Sequence, residues 1–481
     1  MAKSIKKNTI LSILKTCASI IYPLITFPYV SRVLLPDNVG KVNFAQSFVS
    51  YFSLIAMLGV TTYAIRECAA VKNDKDLLSK TASEIISINM CAAIVAYSML
   101  FISIVFFRKL DPYRTLIVIE SFSIICSVLG ADWLNSAMED FKYITIRTIA
   151  AQVIAIIAMF LVVRSKQDYT KYAIICVVSA SGANLLNIWY RKRYCKITFS
   201  LDIDWKKHLP PIMFLFVMML AQTILNNTDV TMLGLIRNDY EVGLYSTAHK
   251  VTKLISSIVQ AVAFVIIPRL SLYFSENDFK NANIVLRKVL LFNISLGLPL
   301  VVGVEMMAED IIFVVGGKEF AAATPVIRVL ILSFLFSLVG GSFLGNAILI
   351  PMKQERYYMI VCIITALCNV ALNAVLIPSL GAVGASIATA FNGLIILILL
   401  SIKVDKRIKI PNIKDIFVAP LLGCLAIAIC CWLSSYIDWW ILRIISSVGT
   451  SIIGYGIILL LCRNEVAIEI IKSIKGRKRI E

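Results

Sequence analysis

The sequence predicts an all-α integral membrane protein of about 14 transmembrane helices, arranged as two six-helix lobes plus two C-terminal helices. Three observations predict it. The 481 residues are 59% hydrophobic and 16% charged, with a mean hydropathy of +0.85, whereas soluble domains carry about 25% charged residues. Apolar runs long enough to cross a bilayer, about 20 residues each, recur along nearly the whole chain. A turn and helix pattern near the start also returns 203 residues later. A soluble enzyme, a disordered chain and a coiled coil are excluded, and no length remains for a folded domain outside the bilayer.

Spans are expected at 9–35, 43–65, 83–107, 115–138, 144–163 and 170–190 in the first half. Those of the second half are expected at 211–236, 244–268, 285–306, 324–350, 356–377 and 381–402, and the last two at 416–436 and 439–462. The first follows Lys3, Lys6 and Lys7 and is too long for a signal-peptide core; Pro23 and Pro28 bend it. The segment 191–210 is the longest gap. It carries Arg191, Lys192, Arg193, Lys196, Lys206 and Lys207, ends at Pro210-Pro211, and reads as a cytoplasmic linker. The domain reading is therefore 1–190, linker 191–210, 211–403, and 404–481 for helices 13 and 14 with a basic tail.

Lys plus Arg number 47 against 29 Asp plus Glu. In a soluble chain such an excess suggests nucleic acid; here it follows the positive-inside rule. With the N-terminus inside, 32 of the basic residues are assigned to cytoplasmic segments and 11 to external ones, Lys15, Lys250, Lys253 and Arg328 lying within spans. The clusters Arg191-Lys192-Arg193, Lys403 to Lys414 and Arg477-Lys478-Arg479 all fall inside, and so do both termini. The twelve cysteines form no C-x-x-C pair, so neither a disulfide framework nor a zinc site is expected.

Val39-Gly40-Lys41-Val42 between helices 1 and 2 matches Val242-Gly243-Leu244-Tyr245 between helices 7 and 8, and the same offset takes Arg66 onto Arg269. Six helices per half is an even number, so the repeats run parallel, about an axis along the membrane normal.

Four helices carry polar residues at helical spacing. Helix 7 has Gln222, Asn226 and Asp229. Helix 8 has Ser246, Lys250, Lys253, Ser257 and Gln260. Helix 1 has Ser12, Lys15 or Thr16, Ser19, Tyr22 and Thr26, and helix 2 has Asn43, Gln46 or Ser47, Ser50 and Ser53. Lone serines or asparagines in spans commonly bond between helices. A stripe holding two lysines and an aspartate is better placed in water. These helices occupy equivalent places in the two halves, so a central hydrophilic cleft is expected. Lys15, Arg32, Lys250 and Lys253 outweigh Asp229 there, an ion pair between Asp229 and the helix 8 lysines is plausible by depth, and a cationic cleft suits a phosphate or pyrophosphate headgroup. Arg66 and Arg269 close helices 2 and 8 as cytoplasmic anchors or a gate. His249 is a candidate for proton transfer. Asp132 beside Trp133 reads as an interfacial anchor. No Walker motif, dinucleotide fingerprint or H-E-x-x-H occurs, so neither an enzyme nor a cofactor is expected.

The stretch 10–67 resembles the opening of bacterial polysaccharide exporters of the Wzx type, the O-antigen and capsule flippases. The resemblance rests on Ser31-Arg32-Val33-Leu34, Gly40 with Asn43 and Gln46, Gly59 and Arg66-Glu67. It continues through Asp132-Trp133-Leu134, Asp229 before Met232-Leu233-Gly234, Gly243-Leu244-Tyr245, Pro268-Arg269 and Leu380-Gly381-Ala382-Val383-Gly384-Ala385. It implies the multidrug/oligosaccharidyl-lipid/polysaccharide (MOP) exporter superfamily, with two six-helix lobes in a V and two extra helices in this branch. It further implies a plasma-membrane flippase that moves an undecaprenyl-pyrophosphate-linked oligosaccharide to the outer leaflet by alternating access. Its partners would be that lipid, the surrounding membrane lipids, and polymerase and chain-length proteins of the same pathway, with no nucleic acid. Lys15, Arg32, Asp229, Lys250 and Lys253 would line its cavity. Competing readings are a multidrug or cation antiporter of the same superfamily, a membrane O-antigen polymerase, and an assembly partner for glycosyltransferases.

Overall fold

The computed structural model describes residues 5–200, 202–409 and 413–469. Among the described residues every regular element is helical and no strand occurs, so the all-α membrane class is borne out. Ten helices are long and apolar enough to cross a bilayer, or eleven if the bent pair Lys166–Ala180 and Gly182–Arg193 is one span. The expected fourteen is not reached by that count. Two of the ten, Asn8–Ala70 and Glu355–Ile402, are longer than one crossing requires. The cluster Arg477-Lys478-Arg479 lies outside the described residues.

The chain forms two compact units, residues 1–243 and 244–481. The first opens with α1 (Ile5–Met57), which breaks at Leu35 (φ 65, ψ 167). Pro36 causes the break: it lacks an N–H, and it drives the residue before it out of the helical region. A second break follows at Leu58 and Gly59, both at positive φ, before α2 (Val60–Ala70). The carbonyls left open there are met by Asn89, buried on α3 (Lys75–Phe106), whose Nδ2 donates to the Ala56 oxygen at 2.9 Å. That is the accounting a buried helix end demands.

Next come α4 (Arg114–Gly130), α5 (Asp132–Ala137), α6 (Phe141–Val162), α7 (Tyr169–Ala180) and α8 (Asn187–Tyr190). The expected fourth span is divided by Ala131 at φ 43, and the expected sixth bends by 44° beyond α7. The two breaks support each other. Gly130 lies so close to Asn184 that an added Cβ would sit 2.6 Å from the Asn184 Cβ. Arg191 Nη1 donates to the Leu129 carbonyl at 2.7 Å. Buried Arg147 holds Asp132 at 2.9 Å and bonds Asn187, which donates to Asp132 at 3.2 Å. Trp133, expected as an interfacial anchor, is 2% exposed; it packs with Tyr63, Leu78 and Ile212 in the core of the unit.

The segment after α8 is no free tether. The backbone N–H groups of Lys196, Thr198 and Ser200 donate to the side-chain oxygens of Ser79, Ser83 and Ser87 at 3.2, 3.0 and 3.0 Å. Two residues of extended chain advance about 6.6 Å and four of helix about 6.0 Å, so every second amide meets every fourth side chain. Ser83→Ala with Ser87→Ala is expected to speed hydrogen exchange at the Thr198 and Ser200 amides by about tenfold or more. Unchanged exchange would show that the serines do not hold the segment.

Then α9 (Trp205–Ile236) packs within the first unit, so the division falls one helix later than the linker. Small residues and hydroxyls explain the close approach. Gly59 lies against the Leu215–Phe216 backbone, Gly234 against the Phe44 ring, and Ser47 bonds both the Asn227 oxygen and Thr231 Oγ1 at 2.8 Å. α10 (Asp239–Ser275) begins where this unit ends. A Cβ added at Gly40 would lie 1.8 Å from the Asp239 oxygen, and one at Gly243 would lie 2.1 Å from the Pro36 oxygen. Each partner is the other's equivalent at the offset of 203, so the repeated turns pack reciprocally.

The second unit continues with α11 (Phe279–Met306), α12 (Ala308–Gly316), α13 (Thr324–Ser337), a wide π-helical stretch at Leu338–Leu349, α14 (Glu355–Ile402), α15 (Ile413–Ser434) and α16 (Trp440–Leu461). α14 breaks at Gly381 (φ 55, ψ −132), three residues after Pro378. The expected pairs 356–377 with 381–402 and 9–35 with 43–65 thus each appear as one bent rod. A six-residue 3-10 turn leads into α13 (Lys318–Ala323), as another, Arg108–Tyr113, leads into α4. The loop after α14 is tied to the start of α11: Asn283 bonds the backbone of Arg407 and Lys409, and the Arg407 guanidinium lies 4.0 Å above the Phe279 ring. The Arg407 side chain also hydrogen-bonds Asp405 and holds its carboxyl at about 2.

Candidate functional site

The polar residues expected in spans divide between the units. In the first, α9 is an apolar helix of 32 residues with Gln222 near its middle. Gln222 and Asn226 are exposed one turn apart, and Asn226 Nδ2 donates to the Gln222 carbonyl at 2.7 Å. Asp229, on the same stripe, is 2% exposed; the face turns inward as the helix approaches α1. On α1, Lys15 is half-buried, whereas Arg32 is exposed and donates to the Pro28 carbonyl at 2.8 Å. The helix 1 stripe mixes contact with exposure: Tyr22 bonds Ser179 at 3.2 Å, and Ser19 receives Gln152 at 3.3 Å.

In the second unit, Ser246 is buried, Lys250 half-buried and Lys253 exposed along α10. Lys253 lies 14 residues into a helix of 37, about 21 Å from its start. His249 stacks on Tyr245, ring centroids 5.6 Å apart and planes at 13°. The side chain of Gln260 lies outside the described residues. Arg66 lies over the Tyr63 ring and pairs with Glu67 at 3.3 Å, and Arg269 lies over Tyr273 and bonds its hydroxyl at 3.0 Å. Both arginines are exposed, and both rest on a tyrosine of their own helix.

Two buried carboxylates escape the sequence reading. Glu120, in α4, is 6% exposed and accepts a hydrogen bond from Gln46 Nε2 at 3.1 Å. Glu84, in α3, lies 2.8 Å from His208 Nε2, whose Nδ1 lies 2.6 Å from the Tyr63 hydroxyl; His208 has no exposed surface. Glu120 carried the ordinary signal of an acid in an apolar run. His208 carried the opposite signal, among lysines and prolines in a stretch that reads as solvated. Four polar residues of α3, Ser79, Ser83, Glu84 and Ser87, marked the surface that receives it.

The second unit also holds a cavity of about 730 Å³ between α11, α15 and α16, lined by Pro299, Val304, Ile427, Val448, Ile452 and Leu459 among others. Tyr455 also lines it and donates to the Ser295 carbonyl at 2.6 Å.

The family described as polysaccharide biosynthesis protein matches residues 5–274, and the MatE family matches residues 215–375. A putative O-antigen transporter of Shigella dysenteriae is 21% identical over 82% of this chain and 98% of its own. A probable low-salt glycan biosynthesis flippase, Agl15, of Haloferax volcanii is 30% identical over 34% of each chain. Among solved structures, the lipid II flippase MurJ in an inward closed conformation has a TM-score of 0.75 at 17% identity, covering 95% of this chain and all of that one. With more than half its length matched, this multi-pass membrane chain belongs to the polysaccharide biosynthesis protein family.

Proposed function

We propose that the protein is a flippase for a polysaccharide precursor, and that its cargo is an undecaprenyl-pyrophosphate-linked oligosaccharide carried from the cytoplasmic to the outer leaflet by alternating access. On this reading it is a transporter and not an enzyme, and its termini lie in the cytoplasm. The observation that carries the reading is the polar side chains the protein leaves uncovered at mid-helix: Gln222 and Asn226 on α9 and Lys253 on α10. Such groups cannot face hydrocarbon cheaply, so each helix presents a wet face. A sugar hydroxyl taken into hydrocarbon without a partner costs about 4–8 kcal/mol. Exposed amides on α9 and cations on α1 and on α10 offer such bonds within each unit, and Lys15, Arg32, Lys250 and Lys253 suit the phosphates. The apolar cavity beside α15 and α16 is chemically suited to a segment of the isoprenoid tail. The names of the relatives support the same cargo class.

The test is rescue of a strain lacking its own exporter, which accumulates the lipid-linked oligosaccharide on the cytoplasmic face. The wild-type chain is expected to restore surface glycan. Lys250→Ala with Lys253→Ala should lower export at least about tenfold, the scale of one lost charge-assisted contact per headgroup, while the protein still inserts. Asp229→Asn should impair it too. Undiminished export would remove these residues from the path, and no rescue by the wild type would end the reading.

A further inference from the structure

We propose that Glu120 is a proton-binding site, a carboxyl that the protein loads and unloads as it transports; the proposal rests on the flippase reading above. Glu120 lies six residues into α4, about 9 Å from the helix start, within a stretch long and apolar enough to span a bilayer. Buried Glu84 and half-buried Asp132 and Asp310 face His208, Arg147 and Arg443 respectively. Glu120 forms no ion pair among the described residues. α1 supplies Gln46, and α7 supplies Tyr172, which is within electrostatic reach of both Glu120 and Tyr22. α3 supplies Tyr97, whose hydroxyl donates to the Ser121 carbonyl. In the 3-10 turn before α4, Asp111 pairs with Arg114 of α4 and Lys109 donates to the Leu235 carbonyl, while α8 brings the uncharged Asn187, which donates to Asp132.

An ionised carboxylate in such surroundings costs several kcal/mol with no cation to offset it. Burial without a cation therefore favours the neutral acid, which still accepts from Gln46 through one oxygen. Ionisation requires water. The route is at hand: Ser50 and Ser53 follow Gln46 on one face of α1, and all three are partly exposed. The site holds one carboxyl and one amide, too few oxygens for a dehydrated metal cation and sufficient for a proton. The step is an O–H bond formed with a proton from water on one side of the membrane and broken to water on the other. No other bond changes.

Infrared titration of the full-length protein in phospholipid vesicles is expected to show a protonated-carboxyl band that Glu120→Gln removes and Asp229→Asn leaves in place. In rescued cells, export should change by roughly tenfold per pH unit on the limiting side of the titration. Glu120→Gln, which keeps the shape and the partner, should abolish that response, and Glu120→Asp should retain it. His249→Gln should also retain it. A band that survives Glu120→Gln, an unchanged pH response in that variant, or a response lost only with His249→Gln would each overturn the proposal. If the wild-type chain restores no export, the flippase reading fails, and the infrared band still decides Glu120.

Discussion

Gly40→Val is expected to lower the thermal unfolding temperature sharply, because Gly40 is buried against backbone. The reason is the nature of the obstacle. The added Cβ would lie 1.8 Å from the Asp239 oxygen and 2.8 Å from its carbonyl carbon, and backbone cannot rotate away as a side chain does. Overpacking a core ordinarily costs about 1–3 kcal/mol; here two helix starts must separate, and more than about 3 kcal/mol is expected. Gly243→Val should behave alike, since its Cβ would meet the Pro36 oxygen at 2.1 Å. Gly303→Ala is the control: nothing lies within 4 Å, and alanine should stabilise α11 by up to about 1 kcal/mol. Unfolding followed in detergent micelles reads all three. A Gly40→Val protein as stable as the wild type would show that the turns do not meet.

Removing either half of the His208–Glu84 pair should cost about 3–5 kcal/mol. His208 is fully buried and Glu84 is 7% exposed, so whichever remains is left in a dry site with an unmet bond. Removing both should cost less than the sum of the two single changes, because Glu84→Leu with His208→Leu strands only the Tyr63 hydroxyl. The cycle of wild type, two singles and the double, read by unfolding in detergent, isolates the coupling. Additive losses would mean that the two side chains are neighbours without being partners.

Much of the fold was legible because membrane helices declare themselves locally. Pro36 and Gly40 announce the bend between the first two spans, and Pro378 and Gly381 do the same in α14. The candidate site was less legible. Periodicity places Gln222, Asn226 and Asp229 on one stripe, yet the structure exposes the first two and buries the third. Spacing gives a face, whereas burial depends on the neighbour that covers it. Burial of His208 and Trp133 needed tertiary packing: a histidine after two lysines and a tryptophan beside an aspartate both read as surface until α2 and α3 close over them.

The reciprocal approach of the Gly40 and Gly243 turns bears on ancestry. A surface in which each element meets the counterpart of its own partner is self-complementary, the property that a symmetric homodimer requires. A gene encoding a single half would already have specified this contact between two copies of its product. Duplication and fusion would then have preserved the packing while freeing each copy to diverge, which fits a pair of turns that still share Val-Gly while the charges of the adjoining helices no longer match.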